Sequence, residues 1–491
     1  MMKNLKKFLL VIVTISVVSC SPELESVYFN EVNPDIFPQS ESDVQSLVIA
    51  AYYPLRGSWF NGIHSTSERG LMFMLDATTE ILQGPYGIQQ VQTYHSFNTT
   101  STSVTRFYDD FYNQISSMTL NIDAIENADI IESIKNEGIA EIKCARALLS
   151  YELFDMYGPL VVAPLEVLKE PLIETPLARL SEDEMVSFIE QDLLDAIEYL
   201  PEPSEADYGR FSKGMARMIL IRLYLHQKRW DDVETQANEI IGMNYYELET
   251  DYVGLWDTTA PVDSKEVIWA IPADYAGTSE NQWQLMVLPS NYPNRGGFGT
   301  IQSSWDFYDS FEATDIRKTN LIAEFAGTDG VVYNRANPGA YMQLGPLPLK
   351  IAEDAARNTG LTTVDIIVYR YADVLLSKAE ALANKTGVPT QEAIDLVNIV
   401  RNRAQISEIA LADYADIDTF NTMILLERSH EYWCENGQYR SDLIRHGKFK
   451  EYADRLNGVA SQSQPFNVLF PFSLERISEG EGAFIQNPGY N

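Results

Sequence analysis

The stretch from Val368 to Ala404, VYRYADVLLSKAEALANKTGVPTQEAIDLVNIVRNRA, constrains the fold more than any other. In its first half Ala372, Leu375, Leu376, Ala379, Leu382 and Ala383 recur at i, i+3, i+4, i+7, i+10 and i+11, lining one face of a helix. The pattern breaks at Gly387 and Pro389, and Thr390 stands where a hydroxyl accepts from the free amides of a new helix. Ala393, Leu396, Val397, Val400 and Ala404 then repeat the periodicity. Two amphipathic helices joined by so short a turn lie antiparallel, and their alanines allow close approach. A single hairpin cannot bury its outer face, so the chain must supply others for it to stack on.

That rhythm runs through most of the sequence, and helices are expected over about 43–56, 104–128, 140–243 and 366–449. Ile142, Ala145, Leu149 and Leu153 share a face up to Gly158-Pro159. Ser181 and Glu184 have the spacing of a capping box. A further pair is marked by Ala216, Ile219, Leu220 and Leu223, then Val233, Ala237, Ile240 and Ile241. A last helix is expected to run unbroken from Ile424 to Phe449. Between 244 and 365 the rhythm stops. That segment holds Trp256, Trp269, Trp283 and Trp305, four of the seven tryptophans, among many Pro, Gly, Asn and Tyr. Loops and short strands of that kind are where a scaffold usually carries its binding residues. The expected architecture is mostly α, a TPR-like stack of helical hairpins spanning 41–491, with a loop-rich, short-stranded insertion at about 244–365 carrying the ligand site.

The formal net charge of −34 excludes a protein that grips nucleic acid by neutralising its backbone. The N-terminus, MMKNLKKFLLVIVTISVVSC, has a basic start and an apolar run from Phe8 to Val18, too short to span a membrane. Its ending resembles a bacterial lipobox, in which the chain is cut just before a lipidated cysteine. Residues 1–19 are then a signal peptide, Cys20 the lipid attachment site, and residues 20–40, with Pro22, Pro34 and Pro38, an extended tether. Such a protein is anchored to a membrane without crossing it. Cys144 and Cys434 fall inside helical patterns and read as free, buried thiols.

Motifs of catalysis are missing: there is no HExxH, GxSxG, GxxxxGK or CxxC. The five histidines are scattered and none pair at metal-ligand spacing, so no catalytic residue, metal ligand or cofactor is assigned. A binding protein for sugars needs other groups. A glycan offers weakly apolar C–H faces and many hydroxyls, which call for flat aromatic rings beside Asn, Asp or Arg. The segment NQWQLMVLPSNYPNRGGFGTIQSSWDFYD supplies that mixture in Trp283, Asn291, Tyr292, Asn294, Arg295 and Trp305, and its Gly296, Gly297 and Gly299 would let a ligand approach the backbone. Trp269, in the strand-like VIWAI, reads as core.

The stretch ERSHEYWCENGQYRSDLIRHGKF resembles the ER-x-x-E…E-G-x-R-x-x-D-L-x-R-x-G-K signature of SusD/RagB-type outer-membrane lipoproteins of Bacteroidetes. The matching residues are Glu427, Arg428, Glu431, Glu435, Gly437, Arg440, Asp442, Leu443, Arg445, Gly447 and Lys448, with Asn436 interposed between Glu435 and Gly437. YRYADVLLSKAEALAN, NIVRNRA, AEIKCARALLSYELFDMYGPL and the terminal QNPGYN are similar to further motifs of the family, in the same order. The resemblance implies a lipid-anchored protein on the outer face of the outer membrane, with no catalysis of its own. It would capture oligosaccharides and pass them to a SusC-like TonB-dependent transporter. A peptide-binding, RagB-like member is the alternative, and a surface glycoside hydrolase a more distant one. In the family, ligand contacts also come from an early loop, where Asp76 and Tyr86, and also Trp59-Phe60 followed by Asn61, occupy similar positions. Glu23 and Glu25 are similar to the acidic export signal of surface lipoproteins in that phylum. Some members hold calcium, but no ligand set for it is assignable in this sequence. The charged signature residues themselves, from Glu427 to Arg445, are too many for a buried site unless paired. They are expected to form an ion-pair network fixing the last helix to the scaffold.

Overall fold

A computed structural model describes residues 37–58, 62–84, 87–173, 175–258, 260–273, 280–293, 296–354 and 361–490. The leader, Cys20 and most of the tether therefore lie outside the described residues, as do Trp59, Phe60, Asn61, Tyr86, Asn294 and Arg295. The chain enters through α1 (Glu41–Tyr52), whose capping box at Ser40 and Asp43 sets its start, followed by a short 3-10 turn over Tyr53–Leu55. A buried helix, α2 (Leu71–Asp76), and a two-residue strand, β1 (Leu82–Gln83), precede the main stack.

The stack begins with α3 (Thr102–Glu126) and α4 (Glu132–Tyr157), and α4 packs in turn on α1 and on α5 (Glu182–Tyr199). The capping box expected at α5 is present: the Ser181 hydroxyl accepts from the Glu184 amide while the Glu184 carboxylate accepts from the Ser181 amide. Next come α6 (Lys213–His226) and α7 (Trp230–Gly242), a hairpin resting on α5. The chain then leaves the helical frame and returns only at β8 (Ile366–Arg370), which runs straight into α10 (Tyr371–Thr386). That helix docks on α7, so the stack is continuous in space although the intervening segment interrupts it in sequence. α11 (Gln391–Arg403) closes the hairpin expected over 368–404, and Thr390 caps it by accepting from the Ala393 amide.

Two expectations change. Residues 366–370 form a strand: IIVYR is a short apolar run, and pairing with β2 (Val267–Ile271) decides its conformation. The final helix is also not continuous. It breaks into α12 (Ile417–Tyr432) and α13 (Gln438–Arg445) at an elbow where Cys434, Asn436 and Gly437 have φ of 56°, 47° and 64°. At Gly437 a β-carbon would also stand 2.3 Å from Leu75, so glycine serves both the left-handed backbone and the contact with α2.

The insertion between α7 and β8 contains β2, then the short helices α8 (Trp283–Val287) and α9 (Trp305–Ser310). Its other strands are β3 (Gln302–Ser303), β4 (Leu321–Ile322), β5 (Glu324–Ala326), β6 (Val332–Asn334) and β7 (Leu347–Pro348). All pair antiparallel: β1 with β3, β2 with β8, β4 with β7 and β5 with β6. The β1–β3 ladder joins the early loop to the insertion although more than two hundred residues separate them in sequence. Cys144 and Cys434 are both buried and unpaired. Among the described residues no helix is long and apolar enough to cross a membrane.

Candidate ligand-binding face

The charged signature residues lie beneath the insertion, and they are paired. Glu431 meets Arg370 at 2.8 Å and Arg317 at 3.1 Å, and it also pairs with Arg403. Arg317 reaches Glu427 at 2.6 Å and Asp315 at 2.8 Å. Lys350 donates to the backbone oxygen of Trp433 at 2.9 Å and pairs with Glu435, which Arg370 also holds at 2.7 Å. A second cluster sits under the stack. Asp442 is held by Arg428 at 2.6 Å and by Arg445, Arg428 reaches Asp373 at 2.7 Å, and Glu380 takes Arg445 at 2.5 Å. Burial alone would raise the Glu431 and Asp442 carboxyls, but the surrounding guanidiniums hold both well below the usual carboxylate range. Sealed charges with this many partners are structural. Asp315, Arg317 and Lys350 belong to the insertion, whereas Glu427, Glu431 and Glu435 belong to α12 and the elbow, so this cluster fastens the one to the other.

The insertion also holds a group of aromatic rings. Phe325 on β5 faces Tyr333 on β6 across the hairpin, the rings stacked at 5.1 Å. Tyr292 packs on Phe325 at 5.4 Å, and Tyr341 meets Tyr333 edge-on at 5.3 Å. The Tyr333 hydroxyl donates to Asp329 at 2.6 Å, and the Thr328 amide donates to the Asn291 carbonyl at 2.8 Å, tying the hairpin turn to the loop. Trp305 opens α9 and stays half-exposed, with Tyr308 edge-on at 5.7 Å and the Arg335 guanidinium 5.0 Å over its ring. Its position is set by Ser304, whose hydroxyl donates to the Glu80 carbonyl at 2.7 Å and accepts from the Phe307 amide as the cap of α9. Phe298, flanked by glycines, is 58% exposed.

The residues singled out from the sequence separate into three groups. Asn291, Tyr292 and Trp305 are half-buried in the insertion, with the amide end of Asn291 sealed from solvent. Trp283 and Asp76 are interior, which corrects the expectation that they meet a ligand. The Trp283 side chain is wholly buried on α8 and its indole N–H donates to the Pro348 carbonyl at 2.8 Å. Asp76 is sealed at the end of α2, where one carboxylate oxygen accepts from the Cys434 amide at 2.9 Å, and burial pushes its carboxyl well above the usual range. Tyr86 and Arg295 lie outside the described residues, as noted. The glycines answer a different need from the one expected: a β-carbon on Gly297 would stand 2.4 Å from the Leu288 carbonyl, so the loop folds back on α8 only with glycine there. Tyr308 and Arg335 were not legible as partners of Trp305, nor Tyr341 as a partner of Tyr333. The aromatic-rich composition of 298–341 was the only signal they gave.

Among the described residues of this region the carboxylates Asp309 and Asp329 are taken up by Arg335 and by the Tyr333 hydroxyl. His64 stands 3.3 Å from Glu152, but both are sealed in the core. Burial drives His64 down to about 4 and raises Glu152, which favours the neutral pair. Among the described residues no group of three His, Cys, Asp or Glu side chains is placed to hold a metal ion.

Comparison with known proteins gives concordant results. Residues 30–225 match a family model described as "Starch-binding associating with outer membrane", and residues 327–490 match the SusD family model. SusD-like protein P25 of Formosa agariphila is 25% identical, the match covering 94% of each chain. A SusD superfamily protein from Parabacteroides distasonis superimposes with a TM-score of 0.77 at 22% identity, covering 92% of this chain and all of that one. Surface glycan-binding protein A from Bacteroides thetaiotaomicron, solved with laminarihexaose, gives 0.72 at 19% identity over 91% of this chain and 99% of its own.

Proposed function

We propose, from the premise that this chain belongs to the SusD/RagB family, that it is a glycan-binding protein of the outer membrane. In this reading it is lipid-anchored through Cys20 at the cell surface, captures oligosaccharides, and passes them to a SusC-like TonB-dependent transporter without altering them. One observation carries the glycan reading: Trp305 is half-exposed with Tyr308 edge-on and the Arg335–Asp309 ion pair beside it, and Tyr292 and Phe298 stay open to solvent in the same insertion. Flat rings stack on sugar C–H faces while amides, carboxylates and guanidiniums take the hydroxyls. The relative solved with laminarihexaose agrees with this, as does the starch-binding family model. Calorimetric titration with neutral α- and β-glucan oligosaccharides, and with peptides in parallel, tests it. Saturable heat from a glycan, weakened about tenfold or more by Trp305→Ala and unaccompanied by new reducing ends, is the expected result. Heat from peptides alone would transfer the same face to the peptide-binding alternative.

A further inference from the structure

Trp305 is not bare in the free protein. The Arg335 guanidinium lies 5.0 Å over its ring and pairs at 2.8 Å with Asp309, one helical turn further along α9. Both members of that pair are open to water, their side chains 56% and 49% exposed. The guanidinium therefore approaches the half-buried indole from the solvent side and covers the face turned that way. The neighbouring ring is capped in the same manner, with the Lys318 ammonium 4.0 Å over Tyr308. A stacked sugar needs the open face of an aromatic ring. Guanidinium and sugar cannot occupy it together.

How firmly Arg335 is held follows from its contacts. The turn that carries it is fixed: the Asn334 side-chain oxygen accepts from the Ala336 and Asn337 amides, both at 3.0 Å, and the Asn337 side chain donates to the Val332 carbonyl at 2.9 Å. The side chain itself is held loosely. It meets the two Asp309 oxygens through Nη1 alone, at 2.8 and 3.1 Å, rather than through two parallel N–H groups. Arg317 and Arg370, by contrast, are sealed and each hold three carboxylates. An exposed ion pair and an exposed cation over a ring are each weak, so the covered arrangement outweighs the open one by only about three- to tenfold. We infer that Arg335, anchored by Asp309, is a latch over Trp305 that a glycan must displace in order to stack, so that this arginine sets the affinity of the site by competing with the ligand. A site whose open form is a minor fraction binds more weakly by that fraction. The inference rests on the glycan-binding reading and adds how that site is regulated.

Calorimetric titration of the full chain in detergent, with laminarihexaose and maltohexaose as neutral probes, tests this. Arg335→Ala should tighten binding by about three- to tenfold, the reverse of the loss expected from Trp305→Ala. Raising NaCl about tenfold screens the exposed pair and should tighten neutral-glycan binding to the unaltered protein by about twofold, an effect absent from Arg335→Ala. Without ligand, Arg335→Ala should increase quenching of tryptophan fluorescence by acrylamide, and adding Trp305→Phe should abolish that increase. Binding detected only once Arg335 is removed would support the latch in its strongest form. Equal or weaker binding by Arg335→Ala, in a protein that Trp305→Ala still weakens, would overturn the latch and leave glycan binding standing. Where Arg335→Ala fails to fold, neutral binding that salt weakens or leaves unchanged overturns it instead. Absence of saccharide binding by the unaltered chain and by Arg335→Ala alike would overturn both readings.

Discussion

The insertion has two surfaces built on opposite principles. One is polar and sealed, with Arg317, itself held by Asp315, and Lys350 locked to Glu427, Glu431 and Glu435. The other is apolar and half-open, with Trp305 against Tyr308, and Tyr292 and Tyr341 against Phe325 and Tyr333, none of the four outer rings fully enclosed. This reverses the usual placement of apolar groups inside and charges outside. Charges with fixed geometry hold a loop in one register better than interchangeable apolar contacts, and open rings remain available to a ligand.

The sharpest way to break that contrast is to remove a charge below. Glu431→Gln leaves Arg317, Arg370 and Arg403 short of a buried partner and should destabilise by about 3–5 kcal/mol in urea unfolding. The two loop tryptophans sharpen it. Trp283→Ala empties an enclosed site and strips the Pro348 carbonyl of its donor, a loss of about 3–5 kcal/mol. Trp305→Ala should alter the unfolding free energy by less than about 1 kcal/mol and act on ligand affinity instead.

A third region tests what happens to a buried acid without a full set of partners. Burial raises the Glu80 carboxyl from 4.5 to about 7, although the Tyr439 hydroxyl donates to it at 2.8 Å. The folded state thus holds a proton that the unfolded chain releases earlier. Its contribution to stability is complete below pH 4.5 and is lost as pH rises through 7. Glu80→Gln has no such loss, so its stability relative to the unaltered protein should improve by about 3 kcal/mol between pH 4.5 and 8, read from paired urea titrations. The smallest effect is expected at Asp76. With its carboxyl already raised by burial, Asp76→Asn keeps the acceptor for the Cys434 amide and should change stability by less than about 1 kcal/mol at neutral pH, with ligand titration unaltered.

The helical frame was readable because its information is local. Thr390 and Ser181 announce helix starts through their own hydroxyls, and the apolar stripe from Ala372 to Ala383 needs no knowledge of what covers it. The signature also gave the pairing of Glu427, Arg428, Glu431, Asp442 and Arg445, since that many charges survive burial only as partners. The elbow at 433–437 escaped because apolar periodicity continues on both sides of it, and nothing local marks Cys434 and Asn436 as left-handed. Burial of individual rings is not local at all. Trp283 and Trp305 stand in similar surroundings along the chain, and only contacts from Pro348 and from Glu80, distant in sequence, make one core and the other surface.

The docking of α10 on α7 across the whole insertion has a thermodynamic corollary. Closing a flexible segment has an entropic penalty that grows only with the logarithm of its length, about 0.6 kcal/mol for each doubling. The stack is therefore nearly indifferent to how long the excursion between those helices is. What it does require is that the excursion deliver Arg317, braced by Asp315, and Lys350 to their carboxylates and carbonyls on α12 and the elbow. Length and loop sequence are free to vary under selection for different ligands, while these few attachment points are not.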